Sequence, residues 1–185
     1  MATAHRKVSV EEFLAINFEP DGTFELVDGV IYAMTGGSPA HNRVQGNIFA
    51  FLRGALRGTG CRPYGPDQAL ATMAHTTRFP DIAIYCGDPA HHEADKDRLL
   101  ADPRVVIEVL SPTTRAVDEG RKLEEYQSLA SIVTVALVDP EAETVAVFQR
   151  SERGRWDDIL TSYSGDIELP SLGVVIPKAE IFARD

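Results

Sequence analysis

The stretch Arg104-Val105-Val106-Ile107-Glu108-Val109-Leu110-Ser111-Pro112 decides the fold, because it contains the clearest strand pattern in the chain. Its apolar run is interrupted only by Glu108, which is typical of a strand buried on both faces. Side chains alternate along a strand, so Val106, Glu108 and Leu110 share one face and the intervening residues share the other. The sequence therefore predicts a central strand with one carboxylate inside it.

A buried carboxylate at Glu108 requires compensation. Its loss of hydration costs several kcal/mol unless a cation, a proton or a basic side chain stabilises it. Two interpretations are open: a core glutamate that pairs with Arg or Lys or faces water, and a functional acid. We favour the functional acid, because a buried unpaired acid usually marks a site.

Asp81 is the second candidate acid. It follows Pro80 at the start of a predicted strand over 81–86, 27 residues before Glu108 (108 − 81). If the two strands are neighbours, the carboxylates lie side by side and repel each other. Mg²⁺ or Mn²⁺ bound by oxygen ligands would relieve that repulsion.

Lys122 is the candidate basic residue. It lies on a predicted helix over 115–130, one turn before Tyr126 on the same face. A lysine there could stabilise negative charge developing on a phosphate. The residues alone favour another interpretation, a surface ion pair with Asp118 four residues earlier.

The remaining segments predict a mixed α/β sheet (an α+β arrangement rich in antiparallel hairpins) in one domain spanning residues 1–185. Helices alternate with strands and hairpins along the chain. The predicted elements are a short helix after Ser9, a hairpin over 24–34, a helix ending near 57, a strand over 68–73, a loop over 87–96, a hairpin over 133–149, short strands over 159–163 and 167–169, and a terminal turn at 181–182.

Composition narrows the class of protein. The chain has 185 residues, 44% of them hydrophobic, and a net charge of −10 from 18 Lys and Arg against 28 Asp and Glu. These values exclude a disordered tail, a collagen-like fibre and a disulfide-framework mini-protein. A pI near 4.9 lowers the expectation of nucleic-acid binding without excluding a local basic patch.

The two cysteines, Cys61 and Cys86, are too few for a framework, and we expect both to remain thiols in a reducing compartment. No apolar run approaches the roughly 20 residues of a membrane span. The basic pair at residues 6–7 is followed by no apolar segment of a signal peptide. We therefore expect a cytoplasmic protein with no membrane partner.

Other motifs favour structural interpretations. The sequence His91-His92-Glu93-Ala94-Asp95 has no second ligand pair at zinc-site spacing, so we interpret it as a solvated loop. No glycine-rich nucleotide motif is present, so we expect no nucleotide cofactor. The arginines either line a phosphate track or lie singly on the surface: Arg43, Arg53 and Arg57 on the long helix, and Arg115 and Arg121 beside the candidate site.

Several of these residues together resemble a known family. Pro80-Asp81, the block Val106–Thr113, Lys122 and Tyr126 look like the Uma family of "putative restriction endonucleases", a branch of the PD-(D/E)XK nuclease superfamily. The opening hairpin and the later Leu137–Pro140 are also similar, so the resemblance covers essentially the whole chain.

The resemblance implies a restriction-endonuclease-like core with an N-terminal hairpin and flanking helices. It also implies a divalent metal held by Asp81 and Glu108, and a homodimer. One position departs from the superfamily pattern: Leu110 stands where the motif has Lys. The family resemblance moves the basic role to the following helix, and so to Lys122.

Three accessory residues follow from the same resemblance. Glu25 matches an acid in the family's first hairpin and either points at the site or lies in solvent on an edge strand. His41, at the start of the long helix, either touches the metal site or makes local hydrogen bonds. Tyr126 accompanies Lys122 on the helix.

The leading hypothesis is a Mg²⁺- or Mn²⁺-dependent endonuclease that acts on nucleic acid, most simply DNA, with Asp81, Glu108 and Lys122 as catalytic residues. Two alternatives stay open: a non-catalytic dimeric binding or scaffold protein that retains the fold, and a metal-dependent hydrolase of a small phosphorylated molecule. Salt dependence separates the first hypothesis from the last, because counterion release accompanies binding of DNA.

Overall fold

The computed structural model describes residues 6–18, 23–34, 36–87, 99–112, 115–157, 161–162 and 165–184. The helices are α1 (Val10–Ala15), α2 (Pro39–Ala55), α3 (Arg115–Val117), α4 (Leu123–Ser128) and α5 (Lys178–Ile181), with a π-helical turn (Asp118–Lys122) between α3 and α4 and a 3₁₀ turn (Pro170–Leu172). The strands are β1 (Phe24–Val27), β2 (Val30–Ala33), β3 (Cys61–Tyr64), β4 (Leu70–Met73), β5 (Thr76–Arg78), β6 (Ile82–Cys86), β7 (Val105–Val109), β8 (Thr134–Asp139), β9 (Thr144–Arg150), β10 (Trp156–Asp157), β11 (Thr161–Ser162), β12 (Ile167–Leu169) and β13 (Val174–Ile176).

The largest sheet has β7 near its centre. Its strand order is β10-β9-β8-β7-β6-β3, with β11 also paired to β9. The β7–β8 pair is parallel, and the other pairs are antiparallel. The sheet is therefore mixed, as predicted, and the predicted hairpin around residues 139–143 is confirmed.

The alternation predicted for β7 is confirmed by the two apolar cores that it separates. Val105, Ile107 and Val109 pack in one core, which α2 covers through residues such as Ile48. Val106 and Leu110 pack in the other core, with Tyr126 and others. Glu108 belongs to this second face, under the helical segment 115–128.

A smaller antiparallel sheet, in the order β2-β1-β5-β4, contains the predicted N-terminal hairpin. Asp28 and Gly29 form its turn with φ values of 52° and 80°, as a two-residue hairpin turn of the mirror-image type requires. A Cβ at Gly29 would lie 2.5 Å from Lys7 Cβ, so only glycine fits there. The chain then crosses from β5 in this sheet to β6 in the large sheet over residues 79–81.

Some sequence predictions are corrected or lie outside the described residues. The 115–130 helix ends at Ser128, so Ala130 is exposed instead of joining the inner stripe. The 159–163 strand is described only as β11, and the loop with its His91–Asp95 cluster lies outside the described residues. The terminal turn is confirmed, since Ile181 and Phe182 are buried. Among the described residues, no helix is long and apolar enough to cross a membrane.

The expectation that Cys61 and Cys86 remain thiols is wrong. They face each other directly in the antiparallel pairing of β3 with β6, with their Cα atoms 4.0 Å apart, and they form a disulfide. The sequence alone did not indicate this bond, because the two cysteines are 25 positions apart and only the sheet register makes them neighbours. The bond fixes the edge strand β3 to the strand that begins beside Asp81.

Removing this bond should lower stability measurably. A cross-link that closes a loop of this length contributes about 3 kcal/mol by restricting the unfolded chain. For a chain of this size, reduction or Cys61→Ser should therefore lower Tm by about 6–12 °C in a thermal unfolding experiment. The double variant Cys61→Ser/Cys86→Ser is the control, since reductant should not shift its Tm. Two titratable thiols in the unreduced native protein would contradict the assignment.

Candidate active site

The sheet register brings Asp81 and Glu108 together. Strands β6 and β7 are antiparallel neighbours with Ile82 opposite Ile107, so the next positions outward are Asp81 and Glu108. The Asp81 backbone N–H donates to Glu108 Oε2 at 3.3 Å, and the Val109 N–H donates to Asp81 Oδ2 at 2.7 Å. The two carboxylates therefore lie side by side, as the spacing of the strands suggested.

Glu108 is almost completely buried, with 3% of its surface exposed. The Tyr126 hydroxyl donates to its Oε1 at 2.6 Å, and Lys122 Nζ lies 3.5 Å from the same oxygen. Burial raises the pKa of Glu108 to about 8, against the opposing effect of Lys122, and the nearby carboxylates add to the increase. The side chain thus has both a basic neighbour and a strong tendency to keep a proton.

Lys122 lies within a ring of carboxylates. Its Nζ is 3.0 Å from Asp118 Oδ1 and 3.6 Å from Glu25 Oε1, besides its contact with Glu108. Burial alone would lower the pKa of Lys122, but these three acids outweigh it and hold the pKa well above its usual range. The predicted pair with Asp118 exists, but both side chains are buried, so its interpretation as a surface pair is wrong.

The π-helical turn 118–122 carries two of the polar groups that the helical segment directs inward. A π turn adds a residue to the helical repeat and is often found at functional sites. Asp118 and Lys122 lie in the turn, and Tyr126 follows in α4; all three are buried. Residues four apart also share a face in an α-helix, so the π turn leaves this inward row of polar groups unbroken.

Glu25 is buried, so the interpretation of it as a solvent-exposed edge residue is wrong. Its Oε2 accepts a hydrogen bond from Arg78 Nη1 at 2.9 Å, whereas its Oε1 has no hydrogen-bond partner among the described residues. The hairpin β1–β2 therefore contributes one carboxylate to the same cluster as Lys122.

Sequence reasoning missed Arg78 and Glu125. Arg78 is 2% exposed, and its guanidinium donates two hydrogen bonds to Glu125, at 2.8 and 2.9 Å, besides the one to Glu25. Thr72 and Arg121 complete the set of donors to the Glu125 carboxylate. Burial opposes ionisation of Glu125, but these donors hold its pKa below the usual range.

A weak signal for Arg78 was present in the sequence. It stands three residues before Asp81, but the segment 76–78 is too short and polar to predict a buried strand. The acid that pairs with it lies 47 residues away on α4. Local patterns therefore gave no indication that the two would meet.

His41 approaches Asp81 from the start of α2. The helix begins after Ser38, whose hydroxyl accepts the His41 N–H at 3.2 Å as an N-cap. The imidazole Nε2 lies 3.2 Å from Asp81 Oδ2, and this hydrogen bond raises the pKa of His41 above its ordinary value. The backbone of His41 thus makes the local hydrogen bond that one interpretation expected, and its side chain contacts Asp81. Its contact with a metal stays a prediction.

The other arginines are distributed differently. Arg121 joins the buried network through Glu125 and also pairs with Asp28 at 2.8 Å. Arg115 pairs with Asp139 at 2.6 Å instead of facing the acids. Arg53 and Arg57 lie at the far end of α2, away from His41.

The donor set fits a divalent cation in part. In the part of the chain that the structure describes, no three His, Cys, Asp or Glu side chains form a complete metal site. The Asp81–Glu108 pair nevertheless supplies hard oxygen ligands, and no described residue donates a hydrogen bond to Asp81 Oδ1. Mg²⁺ commonly binds through one or two carboxylates and completes its shell with water and substrate phosphate.

Comparison with known proteins supports the fold. A crystal structure titled as a "putative nuclease belonging to DUF820", from Anabaena variabilis, superimposes with a TM-score of 0.72 at 17% identity, covering 95% of this chain and 98% of the other. The expected restriction-endonuclease-like fold, with an N-terminal hairpin and flanking helices, is thus confirmed.

Two uncharacterized Synechocystis proteins are similar in sequence. The protein slr1290 is 29% identical over 171 residues, which are 91% of this chain and 87% of that protein. The protein sll1609 is 22% identical over 90% of this chain and 93% of its own length. The profile of the Uma2 family, described as "Putative restriction endonuclease", matches residues 10–177. This match covers nearly the whole chain, which therefore belongs to the Uma2 family.

Proposed function

We propose that this protein is a divalent-metal-dependent endonuclease that hydrolyses phosphodiester bonds of nucleic acid. The observation that carries the proposal is the pairing of Asp81 with the buried Glu108, with Lys122 Nζ 3.5 Å from the glutamate. Two adjacent acids with a lysine beside them match the needs of phosphate hydrolysis, in which charge must be stabilised and water activated.

Asp81 and Glu108 are the residues that would hold the metal. When bound, a divalent cation polarises the phosphate and lowers the pKa of the attacking water. The chain prepares the two acids for this role by hydrogen bonding. Val109 N–H and His41 fix Asp81 Oδ2, so Asp81 keeps Oδ1 for a cation. Tyr126 fixes Glu108 Oε1, and the long hydrogen bond from the Asp81 N–H leaves Glu108 Oε2 with further acceptor capacity for the cation.

Lys122 is the residue that we assign to charge stabilisation. Its ammonium group is protonated at neutral pH and lies beside Glu108, close to the position of the phosphate in this proposal. Tyr126 and Arg78 are positioning residues, since they act through Glu108 and through Glu25. His41, whose pKa is raised by its hydrogen bond to Asp81, lies at the edge of the site.

The identity of the metal, the kind of nucleic acid and the oligomeric state follow from the family resemblance and from the chemistry of the donors. We assign Mg²⁺ or Mn²⁺ as the cofactor because the donors are carboxylates. DNA as the substrate, a homodimeric state and a cytoplasmic location remain predictions from the resemblance and the composition.

One observation favours a non-catalytic binding protein instead. Lys122 already lies against Glu108 from within the chain, with Asp118 and Glu25 around the same ammonium group. Carboxylates that are stabilised by a lysine of the chain can remain in the fold of a protein that has no catalytic activity. Such a protein would bind nucleic acid but fail to cleave it at any metal concentration.

Substitution of the acids tests the proposal directly. Asp81→Asn and Glu108→Gln should reduce Mn²⁺-dependent cleavage of a labelled duplex to background, because each removes one ionised ligand. Lys122→Met should lower the rate by about 10²–10³-fold, as loss of one preorganised donor does. Cleavage is measured on gels with EDTA as the blank. Glu124→Gln, an exposed acid on the same helix, is the control. Wild-type activity in Asp81→Asn would refute the assignment.

The raised pKa of Glu108 predicts how metal affinity depends on pH. The carboxyl group keeps its proton below about pH 8, and a metal ion must displace that proton to bind. Affinity for Mn²⁺ should therefore rise with pH, approaching tenfold per unit below pH 8, and level off above it.

Isothermal titration calorimetry between about pH 6 and 9 measures this dependence, which links one proton to the metal. His41→Asn is the control, because His41 also titrates beside Asp81 and could add to the slope. A constant affinity over this range in both proteins would contradict the role of Glu108.

Arg78 should be important for stability. Arg78→Met leaves Glu25 and Glu125 buried without their partner, which costs about 3–5 kcal/mol of unfolding free energy. Urea unfolding measures the loss. The double variant Arg78→Met/Glu125→Met should be less destabilised than the single variant, since it removes one of the stranded charges. A loss of less than about 1 kcal/mol in Arg78→Met would mean that its ion pairs with Glu25 and Glu125 are as weak as pairs on the surface.

A further inference from the structure

The charge of this acidic protein is unevenly distributed. Residues 29–66 contain no Asp or Glu and four arginines, so this segment carries +4. The other 14 basic residues face all 28 acidic ones, which leaves −14 on the rest of the chain. The acid-free segment includes all of α2 and β3. A local region that attracts anions can therefore exist despite the net charge of −10.

The outward face of α2 concentrates this charge. Successive residues are rotated by about 100° around a helix, which places Arg53 on the same face as Gly46 and Ala50, and Arg57 follows in the turn just beyond the C-terminal end of α2. These four residues are exposed, whereas Ile48 and its neighbours on the opposite side are buried. This solvent face has no carboxylate to neutralise its arginines.

Gly46 and Gly54 offer a second, independent feature of the helix. Glycine destabilises a helix interior relative to alanine. A Cβ at either position would meet nothing within 4 Å, so the fold itself gives no packing reason for glycine. Their small size leaves the backbone of the helix open to close approach by a ligand.

A groove at the end of α2 collects the arginines. It has a volume of about 180 Å³, and its lining includes Arg53, Leu56, Arg57, Gly60, Arg62 and Pro63, with no acidic residue. Within the described residues, Arg53 and Arg57 form no ion pair with a carboxylate. By contrast, Arg78, Arg115 and Arg121 all pair with acids. The groove thus holds two guanidinium groups, those of Arg53 and Arg57, that no described carboxylate pairs with.

We propose that the groove formed by Arg53, Arg57 and Arg62, together with the outward face of α2, binds the phosphate backbone of the nucleic-acid substrate. Guanidinium groups are suited to phosphate because their planar set of donors matches its oxygens. This inference rests on the proposed function, since it assigns where the substrate is held outside the site of cleavage.

The orientation of α2 connects the groove with the acids. His41, near the start of the helix, contacts Asp81, and Arg53 lies twelve residues further along. At 1.5 Å per residue the two positions are about 18 Å apart. A strand with one phosphate per 3.4 Å along the duplex covers that length with about five phosphates. The same rotation sets His41 about 120° around the helix from Arg53, so a backbone that reaches both follows α2 and passes from its outward face to the side of Asp81.

A second copy of this chain fits the same face less well. Small residues at four-residue spacing can allow two helices to pack closely, as at Gly46, Ala50 and Gly54. Symmetric packing of this face would also bring Arg53 and Arg57 towards the same arginines of the other copy. That repulsion favours a polyanion as the occupant.

The test measures binding without cleavage. A fluorescent duplex of about 20 base pairs is titrated with protein in EDTA over roughly 50–200 mM salt, and the slope of log K against log salt gives the number of phosphates neutralised. Arg53→Ala/Arg57→Ala should make the slope shallower by about 1.8, so that the affinity lost over this range shrinks about tenfold.

The control is Arg153→Ala/Arg155→Ala, which removes the same charge from two exposed arginines in another part of the chain. It should leave the slope unchanged. An unchanged slope in Arg53→Ala/Arg57→Ala, an equal change in the control, or no duplex binding by the wild type would each overturn the proposal. Sedimentation is run in parallel: loss of a dimer in Arg53→Ala/Arg57→Ala with an unchanged slope would identify the face as an interface between copies.

The result of this binding test can be distinguished from the result of the cleavage test of the proposed function. The slope is measured without divalent metal, so it does not depend on whether Asp81 and Glu108 support cleavage. A shallower slope in a protein that never cleaves would keep the binding groove and reject the nuclease activity. If the wild type cleaves and Arg53→Ala/Arg57→Ala leaves the salt slope unchanged, the nuclease activity is kept and the binding groove is rejected.

Discussion

Burial of Glu108 in the centre of the largest sheet is the constraint on which the arrangement of this molecule depends. The strand that carries it must be apolar on both faces to hold the two cores together, so the carboxylate cannot reach bulk water. Every group that compensates it comes from another element: a tyrosine and a lysine from the helical segment above, and the N–H of Asp81 from the adjacent strand. The site and the core are therefore built from the same contacts.

The network around this carboxylate joins both sheets and the helical segment. Arg78 ends a strand of the small sheet and binds acids from a hairpin and from α4, so it ties three parts of the fold together. Acidic groups outnumber basic ones among the connected side chains that the structure describes. The acids are Glu25, Asp28, Asp81, Glu108, Asp118 and Glu125, against Arg78, Arg121, Lys122 and the titratable His41. The surplus of negative charge is largest once Glu108 has lost its proton, and it is the physical reason to expect a cation from solution.

The sequence predicted the elements with strong periodicity and the acids placed on them. The alternation in β7 gave both core faces correctly, and a simple neighbour assumption for two strands placed Asp81 beside Glu108. Prediction from the sequence failed for residues whose partners are decided by how distant strands and helices are aligned in the fold. The Cys61–Cys86 pair, the burial of the Asp118–Lys122 pair and the Arg78–Glu125 interaction each join residues whose local patterns are ordinary. A π turn is also invisible to an analysis based on a period of 3.6 residues.

The position of Lys122 has a consequence for how the protein responds to chelators. Three carboxylates surround an ammonium group that belongs to the chain itself, so part of their mutual repulsion is relieved as soon as the helix docks. Folding of this region does not have to wait for an ion from outside, in contrast to small zinc domains that unfold when stripped. If a metal ion binds at the proposed site, its removal by a chelator should therefore leave the architecture around the acids in place.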